Sequence, residues 1–478
     1  MNIKKLTPVV FVVIIVTVGL YLRFSLFLHI APFTPQYEKT LLTADAPAYY
    51  NLAKSLAGNN CFDLDNEKMH ALWTPGFPCF ASIIFRLTSE KVENIIIAQI
   101  IISALLPVLF FYYTRDIFTS WLRYTVAGLF SIEPNSIIFA NLFLSETVFV
   151  TTLLFFFLAY CRFLHKRFLP SLILSAVFLG LATLIRAVNQ YLFIFIALHL
   201  LVSLRHQQRK TVLHLASIFF IAYALVAGSW MMRNYYHWSS FKLSSGMGYN
   251  LIMNNISITD AQRQRVNKKI LREKYFNEAD NHIEATTKNP FEIDAIRKAW
   301  AINKIKSDFS YYFSGHLEEI KKIYFDHSEF LLFFNNYLGI SVFDYKTKPV
   351  HYQGRMVPYK TRTVKNVFQN LQTVMTWFHI LATSVCILYL VSTFFLKDPQ
   401  LKYVMVCTII IAYFPVLSSA SAASRFRVPI VYYLVLGAVY SLGFLTINTV
   451  GYLKKTVPTP AAVATHPKCK KRKKKQLK

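Results

Sequence analysis

Ten long apolar segments constrain this chain more than any other feature of its sequence. They lie at about 8–28, 93–114, 121–139, 145–164, 169–186, 188–204, 212–231, 371–396, 402–418 and 428–450. A helix of about 20 apolar residues crosses the hydrocarbon core of a bilayer, where every backbone polar group must be satisfied within the helix. The third segment is the weakest, because Glu133-Pro134-Asn135 interrupts it. The sequence therefore predicts an all-α polytopic membrane protein, a helical bundle with about ten or more spans.

The composition agrees with a membrane protein and disfavours other classes. Hydrophobic residues make up 54% of the chain and charged residues 16%, and the mean hydropathy is +0.37. The formal net charge of +28 raises the question of a nucleic-acid partner. The basic residues are dispersed between the apolar segments and in the C-terminal tail, so we expect no nucleic acid. The six cysteines have no metal-ligand spacing.

Lysine and arginine in the short loops predict the orientation of the bundle. Alternate short loops carry these residues and the remaining ones carry almost none, which places both chain ends in the cytoplasm. Two long loops, at about 29–92 and 232–370, then face the other side. The predicted organisation is an N-terminal transmembrane module at 1–231, a loop domain at 232–370, C-terminal transmembrane helices at 371–450 and a basic cytoplasmic tail at 451–478.

The first long loop contains two predicted short helices that we expect to lie in the membrane interface. Asp45 precedes Ala46-Pro47, and an acid at the N-cap with proline in the first turn favours a helix start. Thr74-Pro75 predicts the second helix in the same way. Tyr49 falls on the apolar face of the first helix. Two interpretations of Asp45 stay open: a simple N-cap, or an acid held at the interface to meet a lipid-linked substrate.

Further motifs follow the first loop in a fixed order. They are Leu144-Ser145-Glu146, Gly180–Arg186 (GLATLIR), Ser229–Tyr235 (SWMMRNY), Ser244–Asn254 (SSGMGYNLIMN) and Ser424–Pro429 (SRFRVP). Together with Asp45 and the W-T-P-G-F-P element, they resemble the GT-C superfamily of membrane glycosyltransferases. The bacterial branch related to protein O-mannosyltransferases and lipid A aminoarabinose transferases is the most similar. The resemblance covers about 1–250 and 370–450. Ala46 follows Asp45 where the protein mannosyltransferases have a glutamate, and Ser229 replaces a usual proline.

This resemblance implies transfer of a sugar from a polyprenyl-phosphate donor to a glycolipid, glycan or protein acceptor. The reaction would take place on the non-cytoplasmic face of the plasma (inner) membrane, or of the endoplasmic reticulum membrane in a eukaryote. The implied partners are the donor, the acceptor and membrane lipid, and no cofactor is required. A carboxylate can take the proton from the attacking hydroxyl, and arginine suits the charge of the departing lipid phosphate.

The candidate site residues follow from these two roles. Asp45 is the expected general base and Glu146 the second catalytic acid. The expected substrate-binding residues are Arg186, Arg233, Asn234, Arg425, Arg427, Tyr49 and His70. Two arginines one residue apart share a side only in an extended chain, and the Val428-Pro429 pair disfavours helix at Val428, so we expect 425–427 to be extended.

Several alternatives stay open at the level of sequence. Glu146 also suits the positive end of a helix, and the arginines also suit anchoring at the membrane surface. His70 could join Asp45 and Glu146 around a divalent metal, and Cys61 could pair with Cys79 in an oxidising compartment. A secondary transporter or lipid flippase is the main alternative function, although internal repeats and midplane acids are not seen. A non-catalytic membrane scaffold is a third interpretation.

Overall fold

The described part of the protein is built almost entirely from helices, which confirms the all-α fold class. The computed structural model describes residues 3–29, 45–62, 71–281, 283, 287–325, 351–352, 355–356, 401–417 and 427–456. The first ten α-helices are α1 Ile3–His29, α2 Ala46–Asn59, α3 Gly76–Leu87, α4 Val92–Tyr113, α5 Ser120–Ser131, α6 Pro134–Ala140, α7 Glu146–Lys166, α8 Leu169–Ile185, α9 Leu192–Ser203 and α10 Arg209–Trp238.

The remaining elements belong to the second long loop and the C-terminal part. They are α11 Met247–Asn250, α12 Ser257–Gln264, α13 Lys268–Asp280, α14 Pro290–Ser307, α15 Phe309–Phe325, α16 Leu401–Leu417 and α17 Val428–Thr456. A 3₁₀ turn at Ala187–Tyr191 precedes α9, and a π-helical turn at Leu251–Ile256 follows α11. Two short antiparallel strands, β1 His351–Tyr352 and β2 Arg355–Met356, pair with each other.

Eight of the ten predicted apolar segments coincide with helices. The four that are long and apolar enough to cross a membrane by themselves are Thr7–Leu28 in α1, α4, α7 and α10. The segments at 169–186, 188–204, 402–418 and 428–450 fall on shorter apolar helices or apolar parts of helices. The segment at 371–396 lies outside the described residues. Helix α10 continues to Trp238, past the predicted end of the seventh span.

The third predicted segment is broken into α5 and α6 at the position of its proline. Glu133 caps α6, and its two carboxylate oxygens accept hydrogen bonds from the amides of Asn135 (3.0 Å) and Ser136 (2.6 Å). The buried Arg23 guanidinium donates to the carbonyl of Ser131 at the end of α5, at 2.9 Å. Proline removes one helical amide, and these side chains satisfy the backbone groups that the break exposes.

Helix α7 is the central helix of the bundle. It is buried over most of its length, and its Phe149, Phe156 and Tyr160 side chains are fully enclosed. Helices α8 and α10 cross closely beside it. At the crossing, a Cβ on Gly180 of α8 would lie 2.8 Å from Cβ of Val226 of α10. Small residues at such crossings are typical of helix packing in membranes.

The two helices of the first long loop form where the sequence predicts them. They pack on each other through Tyr49 of α2 and Phe77 of α3, whose ring centroids are 5.0 Å apart with edge-to-face geometry. The second long loop has a small apolar core of its own between α12, α13 and α14. Its buried members are Ile252, Ile256, Ala261, Leu271, Tyr275, Ala279 and Ala301.

Candidate active site

Asp45 stands directly before α2 and does not cap it with its side chain. Its backbone is helical (φ −82°, ψ −13°), and its carbonyl accepts the Tyr49 amide at 3.1 Å, but the carboxylate makes no capping hydrogen bond. A capping acid has extended backbone and bonds the amide of N2 or N3. The simple N-cap interpretation therefore does not account for this side chain, which is half-buried.

Tyr49 links Asp45 to the bundle. It lies one turn along α2, is 8% exposed, and its phenol lies beside the Ser145 hydroxyl. Burial, followed by the negative charge of Asp45, raises the pKa of Tyr49 to about 12. The phenol therefore stays protonated at neutral pH and is a hydrogen-bond donor beside the carboxylate.

Glu146 and Arg186 form a buried ion pair on the bundle side of Tyr49. Arg186 Nη1 lies 2.5 Å from Glu146 Oε1 and 3.4 Å from Ser145 Oγ. Glu146 is the first residue of α7, and Arg186 follows the last residue of α8 in an extended conformation. The Arg186 guanidinium also lies 6.0 Å from the Phe149 ring. Tyr49, Ser145, Glu146 and Arg186 are thus brought together, and Tyr49 lies within electrostatic range of Asp45.

The W-T-P-G-F-P element holds the end of α8 in place. Thr74 Oγ1 donates to the Ile185 carbonyl at 3.1 Å. A Cβ on Gly76 would lie 2.7 Å from the Leu184 carbonyl oxygen and 2.7 Å from the Ile185 nitrogen, so only glycine allows this approach. The first long loop therefore sets the backbone from which Arg186 extends.

Arg233 and Asn234 lie at the end of α10, where their side chains bond to each other. Asn234 is fully buried, and its amide nitrogen donates to the carbonyls of Lys242 (2.8 Å) and Leu243 (3.2 Å). This bonding fixes the turn after α10. Arg233 donates to Asn234 Oδ1 at 3.1 Å, and its guanidinium lies 4.8 Å from the Trp230 ring and 5.9 Å from that of Phe62.

The expectation that helix is disfavoured at Val428 is wrong. Helix α17 begins at Val428, and the Arg427 carbonyl accepts the Ile430 and Val431 amides. Pro429 falls in the first turn of the helix, where no amide donor is needed. The extended conformation expected for 425–427 falls mainly on residues outside the described part of the chain and stays a prediction. The Arg427 side chain is fully buried, and its Nε donates to the Ile323 carbonyl at the end of α15. Arg425 and His70 lie outside the described residues.

Tyr249 is a residue of this region that the sequence analysis did not single out. It belongs to α11, within the family-like stretch Ser244–Asn254. Burial raises its pKa, and the charge of Asp45 adds to the shift, so the phenol lies within electrostatic range of that carboxylate. The G-Y-N sequence alone does not reveal this neighbour, because the electrostatic interaction joins residues from two separate loops.

Two alternatives from the sequence, a metal site and a disulfide, bear on the described part of the chain. No group of three His, Cys, Asp or Glu residues that could hold a metal ion occurs there. Cys61 and Cys79 are both exposed and free, so the disulfide alternative is not seen.

One protein family matches the central part of the sequence. Residues 71–230 match the family model described as dolichyl-phosphate-mannose-protein mannosyltransferase. The matched region includes the W-T-P-G-F-P element, Glu146, Arg186 and Trp230. The resemblance to the GT-C superfamily is confirmed over this region. No curated protein matches the sequence.

Several solved structures have a similar arrangement of helices at low identity. The oligosaccharyltransferase AglB from Archaeoglobus fulgidus, in complex with an inhibitory peptide and a dolichol-phosphate, is 12% identical with a TM-score of 0.49, covering 97% of this chain and 53% of that one. ArnT from Cupriavidus metallidurans bound to undecaprenyl phosphate is 11% identical with a TM-score of 0.39, covering 94% of this chain and 81% of that one. The chain thus spans about half the length of the archaeal enzyme.

Proposed function

We propose that this protein is a glycosyltransferase that moves a sugar from a polyprenyl-phosphate donor to a hydroxyl group of a glycolipid, glycan or protein acceptor. The observation that carries the proposal is the Asp45 carboxylate. It is not used to cap its helix, and its charge acts on the buried Tyr49 phenol, on which the charge of Arg186 also acts. The match of residues 71–230 to a family that uses a lipid-phosphate sugar supports the same chemistry.

Asp45 acts as the general base in this reaction. It accepts the proton of the acceptor hydroxyl while the hydroxyl oxygen bonds to the anomeric carbon of the sugar. The bond from that carbon to the phosphate oxygen breaks, and the polyprenyl phosphate leaves with the bonding electron pair. The Tyr49 phenol, whose pKa is raised to about 12, is neutral at this point and can donate a hydrogen bond.

Arg186 stabilises the departing phosphate. Guanidinium groups bind phosphate through two parallel hydrogen bonds. Glu146 holds the guanidinium by one nitrogen, so it acts here by positioning Arg186 at the mouth of the bundle. Arg233, half-buried over Trp230, offers a second positive charge at the end of a neighbouring helix. The full burial of Arg427 supports a different task, which is to join α17 to α15.

The site end of the bundle, where Asp45, Glu146 and Arg186 lie, faces away from the cytoplasm in this proposal. Cysteines introduced at the exposed Ser89 and Lys242, in a cysteine-free background, should react with a membrane-impermeant reagent in intact cells. Gln207, exposed at the opposite end of the bundle, is the matched control and should not react. Labelling of Gln207 alone would reverse the orientation.

The function is tested by deleting the gene and comparing envelope glycoconjugates by mass spectrometry. We expect one glycoconjugate to lose a sugar, with restoration by the wild-type chain and not by Asp45→Asn. A lipid flippase would produce a different result. Its substrate would accumulate on one membrane face, and Asp45→Asn would still restore the glycoconjugate.

A further inference from the structure

A second phenol approaches Asp45 from the loop domain. Tyr49 belongs to α2 in the first long loop, whereas Tyr249 belongs to α11 in the second. The charge of Asp45 acts on both phenols. Asp45 therefore lies where the first long loop meets the second, and the two loops contribute one tyrosine each.

The backbone of α11 is fixed by a buried carboxylate on α14. Asp294 is 7% exposed, and its Oδ1 accepts the amides of Gly248 (2.7 Å) and Tyr249 (3.4 Å). A Cβ on Gly248 would lie 2.5 Å from the Asp294 carbonyl oxygen and 2.6 Å from the Lys298 nitrogen. Helix α11 thus lies directly against the α14 backbone, and Asp294 fixes the backbone position of Tyr249.

The chain before α11 is fixed to the first long loop. The Ser245 amide donates to the Ala71 carbonyl at 2.9 Å, and a Cβ on Gly246 would lie 3.0 Å from Leu72 Cδ1. The segment from Ser245 to Tyr249 is therefore held at both ends. Such double anchoring gives a side chain the fixed position that substrate recognition needs.

The Tyr249 ring packs against Phe276, and its hydroxyl can still donate a hydrogen bond to a substrate. Its ring centroid lies 5.3 Å from that of Phe276, over which the Arg297 guanidinium packs at 5.1 Å. Arg297 is held in turn by two hydrogen bonds of 2.7 Å to Asp280. Within the described residues, the Tyr249 hydroxyl makes no hydrogen bond.

We propose that Tyr249 determines acceptor specificity by hydrogen-bonding an acceptor hydroxyl adjacent to the one that reacts, and that Asp294 is the positioning residue that sets Tyr249 against Asp45. The inference rests on the proposed transferase function and deepens it. An acceptor with neighbouring hydroxyl groups is a carbohydrate, so the acceptor class is a glycolipid or glycan. Tyr249 is on the acceptor side because it comes from the loop domain, whereas Glu146 and Arg186, on the phosphate side, come from bundle helices.

The test uses the purified full-length chain in detergent and glycoconjugates from cells that lack it, with lipid extract from the same cells as donor. Tyr249→Phe removes only the hydroxyl. We expect kcat/KM for the acceptor to fall about 3- to 10-fold, the effect of one neutral hydrogen bond, with the donor KM unchanged. Tyr236→Phe is the matched control, since Tyr236 is 80% exposed at the end of α10.

The positioning role of Asp294 is tested with two variants. Asp294→Ala removes the acceptor of both amides and should lower kcat/KM for the acceptor as Tyr249→Phe does. Asp294→Asn keeps an oxygen at the same place and should restore most of the loss. The double variant Tyr249→Phe/Asp294→Ala should have a kcat/KM for the acceptor close to that of the less active single variant, because both changes disturb the same contact.

Three outcomes separate the possibilities. Tyr249→Phe equal to Tyr236→Phe, or a change in the donor KM alone, would overturn the acceptor assignment. Fully additive losses in the double variant would remove Asp294 from the inference. A wild-type chain that leaves the glycoconjugates unextended would refute the transferase proposal and this inference with it. Melting temperatures of all variants show that any loss belongs to a folded protein.

Discussion

Arg186 and Glu146 meet inside the bundle, with 2.5 Å between Nη1 and Oε1, and their side chains are 9% and 1% exposed. They come from two helices, one beginning at Glu146 and the other ending before Arg186. Because Glu146 balances the charge of Arg186, the pair can remain buried before any substrate arrives. In the proposed function, this pairing fixes the orientation of the Arg186 guanidinium before the carrier phosphate binds.

Removing either partner of this ion pair should destabilise the protein strongly. Glu146→Gln leaves an uncompensated buried guanidinium, and Arg186→Met leaves an uncompensated buried carboxylate, each costing about 3–5 kcal/mol. The double variant removes both charges and should recover much of the loss. Thermal unfolding in detergent is the measurement.

The exposed ion pair between Lys166 and Asp116 is the control for that experiment. Asp116→Asn should not change the melting temperature measurably, because solvent screens an exposed pair. If Glu146→Gln behaves like Asp116→Asn, the buried pair does not contribute to stability as we predict.

Asp45→Asn should abolish sugar transfer while the protein stays folded. The amide cannot take a proton from the acceptor, and stability should hold because the carboxylate makes no capping bond that the substitution could break. The product is measured by mass spectrometry and the folded state by melting temperature. Turnover near the wild-type level would assign the base to another group.

Hydropathy and proline positions predicted much of this fold. The apolar segments that fall on described residues form helices, the third is broken where Glu133 and Pro134 interrupt it, and α2 begins after Asp45 as its Pro47 indicated. These features depend on local chemistry, which periodicity and helix-start signals report.

The contacts between motifs could not be predicted in this way. Gly76 packs against the end of α8, and Asp294 bonds α11, through long-range approaches that no local pattern encodes. The start of α17 at Val428 was not predicted for a related reason. A proline disfavours helix at the residue before it but also suits the first turn of a helix, and the local sequence does not distinguish the two.

Gly76→Ala should displace the end of α8 and lower activity through Arg186. The added methyl would meet the Leu184 carbonyl and the Ile185 nitrogen at 2.7 Å, and overpacking of this kind costs about 1–3 kcal/mol. Gly58→Ala is the matched control, because a Cβ there meets no atom within 4 Å. It lies within α2, where alanine favours helix. Equal activity in the two variants would contradict the close contact.

Asp294→Asn should raise the melting temperature near neutral pH. Burial raises the pKa of Asp294 despite its amide hydrogen bonds and the nearby Lys242 and Lys298. A carboxyl with a raised folded-state pKa binds its proton more tightly when folded, so its ionisation destabilises the protein as pH rises through that value. The advantage of the asparagine variant should therefore shrink as pH falls from the raised pKa towards the ordinary aspartate range. A variant less stable at neutral pH would mean that the ionised carboxylate is favoured by its hydrogen bonds.

Arg427→Lys should lower the stability of the protein, whereas Arg186→Lys should weaken binding of the carrier. Arg427 is fully buried, and its Nε donates to the Ile323 carbonyl. Lysine has no nitrogen at this position, so Arg427→Lys should lower the free energy of unfolding by about 1.5–3 kcal/mol. Arg186→Lys keeps the positive charge beside Glu146 but loses the planar fork, so the affinity for the proposed polyprenyl-phosphate carrier should fall about 10-fold. Carrier affinity is measured on the folded fraction of each variant, and stability by thermal unfolding. Weaker carrier binding by Arg427→Lys with an unchanged melting temperature would instead place Arg427 at the phosphate.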